Sequence, residues 1–388
     1  MTANTSPPTG PLRGLRIIEL ASIGPVPMAG MLLADLGADV VRVDRMEPSG
    51  LGLAMQPPYD VHARSRRSVA LDLKQAAGRQ ALWALLERAD VLLEGLRPGV
   101  LERLGLVPDE VLMRCPRLVI GRMTGFGQTG PLAKAAGHDL NYIALTGALH
   151  AMGSAGGKPV PPLNLVGDYG GGALYLALGV LSALFERQTS GRGQVVDAAM
   201  VDGAASLMSI FHGLAAAGTW NERRGDNLLD GGAPFYDTYE AADGRFVALA
   251  ALEPKFFAVL AQALGLDERF VQRQLDRSVW PAMRAAITAV IRTKTRDEWC
   301  AQLEGTDACF APVLSLAEAP LHAHAAARQA YVTVDGVTQP AAAPRFGRSQ
   351  VPQPRPAPST GQHTRTVLTE AGWSHEQIDA LVASRAAR

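Results

Sequence analysis

The chain has 388 residues, more than one typical core absorbs and enough for two domains. It is 47% hydrophobic and 19% charged, with 37 basic and 37 acidic side chains, so its charge supports neither a nucleic-acid partner nor an anionic membrane surface. Cys115, Cys300 and Cys309 form no CxxC pair and no His/Cys cluster, which argues against a disulfide framework and a metal site and fits a reducing cytoplasm.

Residues 1–11 read as a loose tail, without the basic region and apolar core of a secretory signal. A strand is predicted over 15–20, a loop with Gly24 and Pro25, a helix over 27–36 stopped by Gly37, and a strand over 39–44. This βαβ unit makes the sheet parallel at its start. The alternation continues with strands over 68–73, 90–95 and 117–123 and helices over 77–89, 100–104 and 108–113, the pattern of an α/β doubly wound domain. Residues 172–214 read as long apolar helices broken at 189–193. The longest apolar run, 173–185, is too short to span a bilayer and suits a buried helix. A polar, Gly-rich stretch over 221–232 marks a boundary. Beyond it come a hairpin over 235–240 and 245–250, helices over 256–264, 280–291 and 296–303, a Pro/Ala-rich linker over 339–353 and a last amphipathic helix over 376–387. A smaller α+β domain therefore follows the first.

Gly125-Phe-Gly-Gln-Thr-Gly130 has the spacing of a dinucleotide fingerprint and follows a strand. Pro131 and a broken pattern come after it, and the first βα loop reads Ala21-Ser-Ile-Gly-Pro-Val-Pro27 instead, so it is read as a turn near a ligand. In Gly137-His-Asp-Leu-Asn-Tyr142, His138 follows a strand. An imidazole titrates at about 6.5 and suits a general base, although a His-Asp pair also caps helices. Asp168 in Val166-Gly-Asp-Tyr-Gly-Gly-Gly172 precedes an apolar helix. It is either an N-cap or a second acid–base group, with glycines that let a ligand approach and N–H groups that stabilise an oxyanion. Glu253 precedes Pro254 at a helix start and has the same two readings. Arginines 42, 45, 64, 66, 67, 97 and 103 gather in the first half, several near strand C-terminal ends. Arginine suits phosphate there, although scattered surface arginines are common.

Taken together, Glu19-Leu-Ala-Ser-Ile-Gly-Pro25, the stretch 34–45, Thr124-Gly-Phe-Gly-Gln128, the His138 and Asp168 motifs and Asp230-Gly-Gly-Ala-Pro-Phe-Tyr236 resemble the α-methylacyl-CoA racemases of the family III CoA-transferase superfamily. The likeness runs from about Gly10 to about Gly347. It implies an interlocked homodimer. Each subunit would have a large Rossmann-like domain (12–225 and 330–388) and a small α+β domain (226–329). It implies an isomerase that interconverts (2R)- and (2S)-2-methylacyl-CoA thioesters by two-base α-proton removal through an enolate. No metal or redox cofactor is expected, since coenzyme A is part of the substrate. By this resemblance His138 and Asp168 are the two bases, and Glu253 from the partner orients His138. Arg45 and Arg103 hold CoA phosphates, and Val69, Ala70, Leu71 and Asp72 line the adenine pocket. Lys134, Ala135, Ala136, Gly137 and Asp139 follow the thioester arm, and Gly170 is near the oxyanion. The alternative within the superfamily is a CoA-transferase with Asp168 as nucleophile; the His-Asp pair discriminates against it. Leu228 stands where the racemases carry a Met, which bears on the acyl surface and leaves the chemistry alone.

Overall fold

The computed structural model describes residues 9–47, 50, 52–53 and 55–388. Of the expected N-terminal tail, residues 1–8 lie outside these. Leu12 is already tied down, its N–H donating to Leu36 O at 3.0 Å. The chain forms two compact units. One comprises the chain up to Thr146 with Leu163–Leu207 and His324–Arg388; the other comprises Gly147–Pro162 and Met208–Ala323. The division thus falls near 207 and 323, where the sequence suggested 225 and 329.

The first unit is an α/β domain on a six-stranded parallel sheet: β1 (Arg16–Leu20), β2 (Asp39–Asp44), β3 (Arg67–Ala70), β4 (Val91–Glu94), β5 (Val119–Thr124) and β6 (Val195–Ala199), in the order β3-β2-β1-β4-β5-β6. Because side chains alternate across a sheet, neighbouring residues feed opposite cores. Ile18, Val41, Leu92 and Ile120 face one side, and Ile17, Val40, Leu93 and Val119 the other. The first face is covered by α2 (Ala76–Leu86) and by helices Thr364–Glu370 and His375–Ala383. The second is covered by α1 (Pro25–Asp35) and by α7 (Leu174–Ser190); between them in the chain lie the shorter α3 (Val100–Arg103), α4 (Pro108–Arg114), α5 (Asp139–Ala144) and α6 (Ala148–Ala151, in the other unit). The chain end closes onto β3: Asp72 N–H donates to Ala386 O at 2.9 Å and Arg388 N–H to Ala70 O at 3.2 Å.

Three differences from the sequence reading have local causes. Residues 165–173 wind as π-helix and run directly into α7, so the helical stretch Leu165–Ser190 is long and apolar enough to cross a bilayer by length and composition. It packs as a core helix does, with Leu176, Val180, Ala183 and Leu184 buried against the sheet. Strand β6 falls inside the region read as helical; no Gly or Pro separates its Val-Val-Asp-Ala-Ala from the helix that begins at Met200, so it does not stand out. The expected linker over 339–353 begins inside β11 (Val337–Pro340), which pairs with β10 (Tyr331–Val334) and is held by Arg64. That buried guanidinium donates to Gln339 Oε1 at 2.9 Å and Pro340 O at 2.7 Å while paired with Asp35.

The second unit carries the antiparallel sheet β7 (Tyr236–Glu240), β8 (Phe246–Ala250) and β9 (Phe310–Pro312), with β9 too short to read from sequence. Phe235, Phe257, Trp280 and Trp299 anchor a core beneath α10 (Pro254–Leu264), α12 (Trp280–Ile291) and α13 (Arg296–Leu303).

Candidate active site

In the sheet order, β1 and β4 are neighbours whose following loops depart in opposite directions along the sheet, and such a switch point opens a crevice at the strand C-terminal ends. A cavity of about 590 Å³ lies there. Its walls include the loop after β1 (residues 21–26), Arg45 after β2, the loop after β4 (residues 95–98) and residues 123–126 around the end of β5. Ala135, Ala136, Gly137, His138, Tyr142 and Asp168 also line it.

His138 sits immediately before α5, exposed on the cavity wall. Its backbone N–H donates to Asn141 Oδ1 at 3.1 Å, which fixes the turn that presents the imidazole. Tyr142 braces the same turn: its hydroxyl donates to Gly137 O, and its ring packs edge-on against Phe126 with centroids 4.9 Å apart. Gly125 makes this possible, since a Cβ there would lie 2.1 Å from Tyr142 Cε1. The Gly125–Gly130 segment is thus a turn at the cavity, stapled by Gly127 N–H donating to Thr124 Oγ1 at 2.9 Å, and no helix follows it to hold a dinucleotide.

Asp168 is not a cap. It lies inside the π-helical stretch, whose N-cap is Asn164, and Asn164 Nδ2 donates to Asp168 Oδ2 at 3.1 Å. Its backbone N–H donates to Asp139 Oδ2 at 2.7 Å. Burial pushes the Asp168 carboxyl above the usual aspartate range. The Asn164 amide opposes that, the nearby Asp139 charge adds to it, and His138 draws it back down. Burial likewise pushes the Tyr142 phenol up to about 12, with Asp168 adding to the shift. Gly24, also on the cavity wall, adopts φ 72°, which glycine takes without strain, and a Cβ there would only touch Asp168 Oδ2 at 3.4 Å, so the turn and not crowding calls for glycine.

The other expected residues divide. Arg45, Ala135, Ala136 and Gly137 line the cavity. Asp139 is buried behind it and holds Asp168. Lys134, Arg103 and Gly170 lie outside its lining, and the Asp168 N–H expected to face an oxyanion is engaged by Asp139. Val69 and Ala70 are buried in β3 and Leu71 just beyond it, and Asp72 accepts from Lys74 N–H at 3.0 Å. Glu253 stands before α10 in the second unit, exposed and making no side-chain cap bond. Leu228, 38% exposed, belongs to a loop of that unit which Asn227 and Asp230 tie together. Arg97 was legible only as one arginine among several. It lines the cavity exposed, and a strand running straight into Gly-Leu-Arg-Pro was the available signal.

A doubly wound sheet with a half-buried carboxylate and an imidazole on one cavity at its switch point defines an α/β protein equipped for acid–base chemistry on a bound ligand. The chain belongs to CoA-transferase family III, whose family model matches residues 12–364. Alpha-methylacyl-CoA racemase of Mus musculus is 46% identical over 377 residues, 96% of this chain and 97% of that protein. The protein of the same name from Homo sapiens is 43% identical over 374 residues, 95% and 96% respectively. A CAIB/BAIF family protein from Brucella suis shares the fold with a TM-score of 0.79 at 26% identity, covering 94% of this chain and 100% of that chain.

Proposed function

We propose that this protein is an α-methylacyl-CoA racemase. The observation that carries the reading is the placement of His138 and Asp168 on one cavity in a chain so similar to two proteins of that name. An α-proton next to a thioester is weakly acidic, so inversion needs a base on one face and an acid on the other. The raised Asp168 carboxyl suits either part, since a pKa moved towards neutrality lets the group both take and return a proton. In one direction His138 takes the α-proton and Asp168 delivers one to the opposite face; in the other direction the roles exchange. The intermediate is an enolate, and its oxygen needs hydrogen-bond donors. Coenzyme A enters as part of the substrate, with Arg45 and Arg97 on the cavity wall as cations for its phosphates. No metal or redox cofactor takes part in this scheme.

The proposal includes a homodimer. Leu174, Leu178 and Phe185 are 53%, 61% and 75% exposed and lie on one face of α7, an apolar stripe that a second copy would cover. Glu253 of that copy would then orient His138. Three free thiols suit a cytoplasmic setting.

The test is incubation of a single 2-methylacyl-CoA epimer in deuterated water with no acceptor acid. α-Deuterium incorporation and drift towards both epimers are expected. Transfer of CoA to an added carboxylic acid, with the α-centre unexchanged, would instead assign Asp168 as the nucleophile of a CoA-transferase.

A further inference from the structure

Glu94, the last residue of β4, is fully buried yet takes no part in the acid–base scheme. Its Oε2 accepts the N–H of Leu96 at 2.7 Å, two residues along the loop that forms one cavity wall. Its Oε1 accepts from Arg122 Nε at 2.7 Å. Arg122, in β5 and 6% exposed, also pairs through Nη1 with Glu102 of α3 at 2.9 Å. The loop from Gly95 to Gly99 is therefore gripped at both ends: by Glu94 where it leaves the sheet, and by Glu102 where it enters α3. Between the grips sits Arg97. Among the described residues it has no ion-pair partner, and it faces the cavity. Burying a carboxylate here carries a desolvation cost that an apolar side chain would avoid, and burial does push the Glu94 carboxyl above the usual glutamate range. The core of β4, Val91-Leu-Leu93, is otherwise apolar. Packing alone gives no reason for an acid at its end. Fixing a backbone N–H and a neighbouring guanidinium at once does.

We infer that Glu94, with Arg122 and Glu102, is a positioning device that holds the 95–99 loop so that Arg97 presents its charge to the phosphates of coenzyme A. This rests on the CoA-thioester reading above. Glu94 is a positioning residue: it does not line the cavity and acts through Arg97.

The experiment is a double-mutant cycle on the affinity of the full chain for coenzyme A itself, followed by calorimetry. Glu94→Gln should weaken binding about tenfold, the size of one lost charge-assisted hydrogen bond. Arg97→Ala should weaken it by a similar factor, and Glu94→Gln added to Arg97→Ala should cost almost nothing more. Should Glu94→Gln fail to fold, Glu102→Gln probes the same buried arginine from its partly exposed partner. About threefold weakening is then expected, again absent beside Arg97→Ala. If the glutamate variants weaken CoA as much without Arg97 as with it, or do not weaken it at all, Glu94 is merely structural and the inference falls. If the wild-type protein does not bind coenzyme A, the CoA-thioester reading falls, and this inference with it.

Discussion

Asp139 Oδ2 accepts the backbone N–H of Asp168 at 2.7 Å, so one acid of the site holds the peptide group of the other. Asp139 is 7% exposed, and its Oδ1 is buried with no hydrogen-bond partner among the described residues. The approach is possible because residue 167 is glycine: a Cβ there would lie 2.5 Å from Asp139 Oδ2. The neighbouring sequence Gly167-Asp168 is thus read against His138-Asp139 across the fold, and the two motifs make one structural object.

This pairing predicts how the site titrates. Burial and the Asp139 charge both raise Asp168. Asp139→Asn keeps an oxygen for the Asp168 N–H and removes the charge, so the Asp168 pKa should fall. The acidic limb of kcat/KM should move to lower pH for the epimer whose proton Asp168 removes. A pH profile superimposable on the wild type would show that Asp168 does not feel Asp139.

Asp168 also makes a prediction about stability. Its folded-state pKa is raised, so the folded chain holds this proton more tightly than the unfolded chain does. Stability then falls as pH climbs from the unfolded pKa through the folded one, and the penalty is complete above the folded value. Asp168→Asn removes the penalty and can still accept from Asn164. The variant should melt at or above the wild-type temperature at neutral pH, with any gain vanishing below about pH 3.9, the ordinary aspartate value. A variant markedly less stable at pH 7 would contradict the assignment.

Gly125 tests the bracing of His138. A methyl group there overlaps the Tyr142 ring, whose hydroxyl holds Gly137 O beside His138. Gly125→Ala should cost about 1–3 kcal/mol, as overpacking does. Exchange activity should also drop at least tenfold, because Tyr142 cannot retreat without releasing the turn (a small misplacement of a base is costly). An unchanged denaturation midpoint would mean the ring has space that the structure does not give it.

Much of this was legible in the sequence, for identifiable reasons. The strands β1, β2, β4 and β5 are largely buried, and each stands out through a short apolar run such as Ile17-Ile18, Val40-Val41, Val91-Leu92-Leu93 or Val119-Ile120. His138 and Asp168 stood out through their motifs. Arg97 did not, because an exposed arginine looks the same in sequence whether it faces a cavity or bulk water. The π-helical winding around Asp168 was hidden as well: three consecutive glycines announce freedom of the backbone and leave its choice to packing. Gly171 and Gly203 make that choice. A Cβ on Gly203 would lie 1.9 Å from Gly171 O, so α8 (Met200–Leu207) approaches the π-helical backbone directly, a contact no local pattern reports.

The dimer proposal predicts complementation. Neither His138→Ala nor Glu253→Ala chains should be active alone. If Glu253 serves the site of the other copy, chains mixed under denaturing conditions and refolded should recover part of the activity, since one of the two sites in each mixed dimer is intact. Light scattering should give twice the chain mass. A fully active monomer would remove both the dimer and the role of Glu253.

The last prediction separates the two bases. Asp168→Asn cannot take or return a proton, and losing a positioned acid–base group costs about 10²–10⁴-fold, so racemisation should collapse in both directions. Exchange with solvent deuterium is more discriminating. In the proposed scheme each base serves one epimer, because each would face one side of the α-carbon. In Asp168→Asn, His138 can still remove the proton on its own side and return deuterium to the same face, so that epimer exchanges without inverting. In His138→Gln, Asp168 does the same for the other epimer. The two variants should therefore show α-exchange confined to opposite substrate epimers, with inversion lost in both, read by proton NMR of the hydrolysed acids after incubation in deuterated water. Equal residual exchange on both epimers in both variants would mean that one of the two residues never handles the α-proton. Loss of all exchange in Asp168→Asn alone would leave Asp168 as the sole base, and His138 with a binding role.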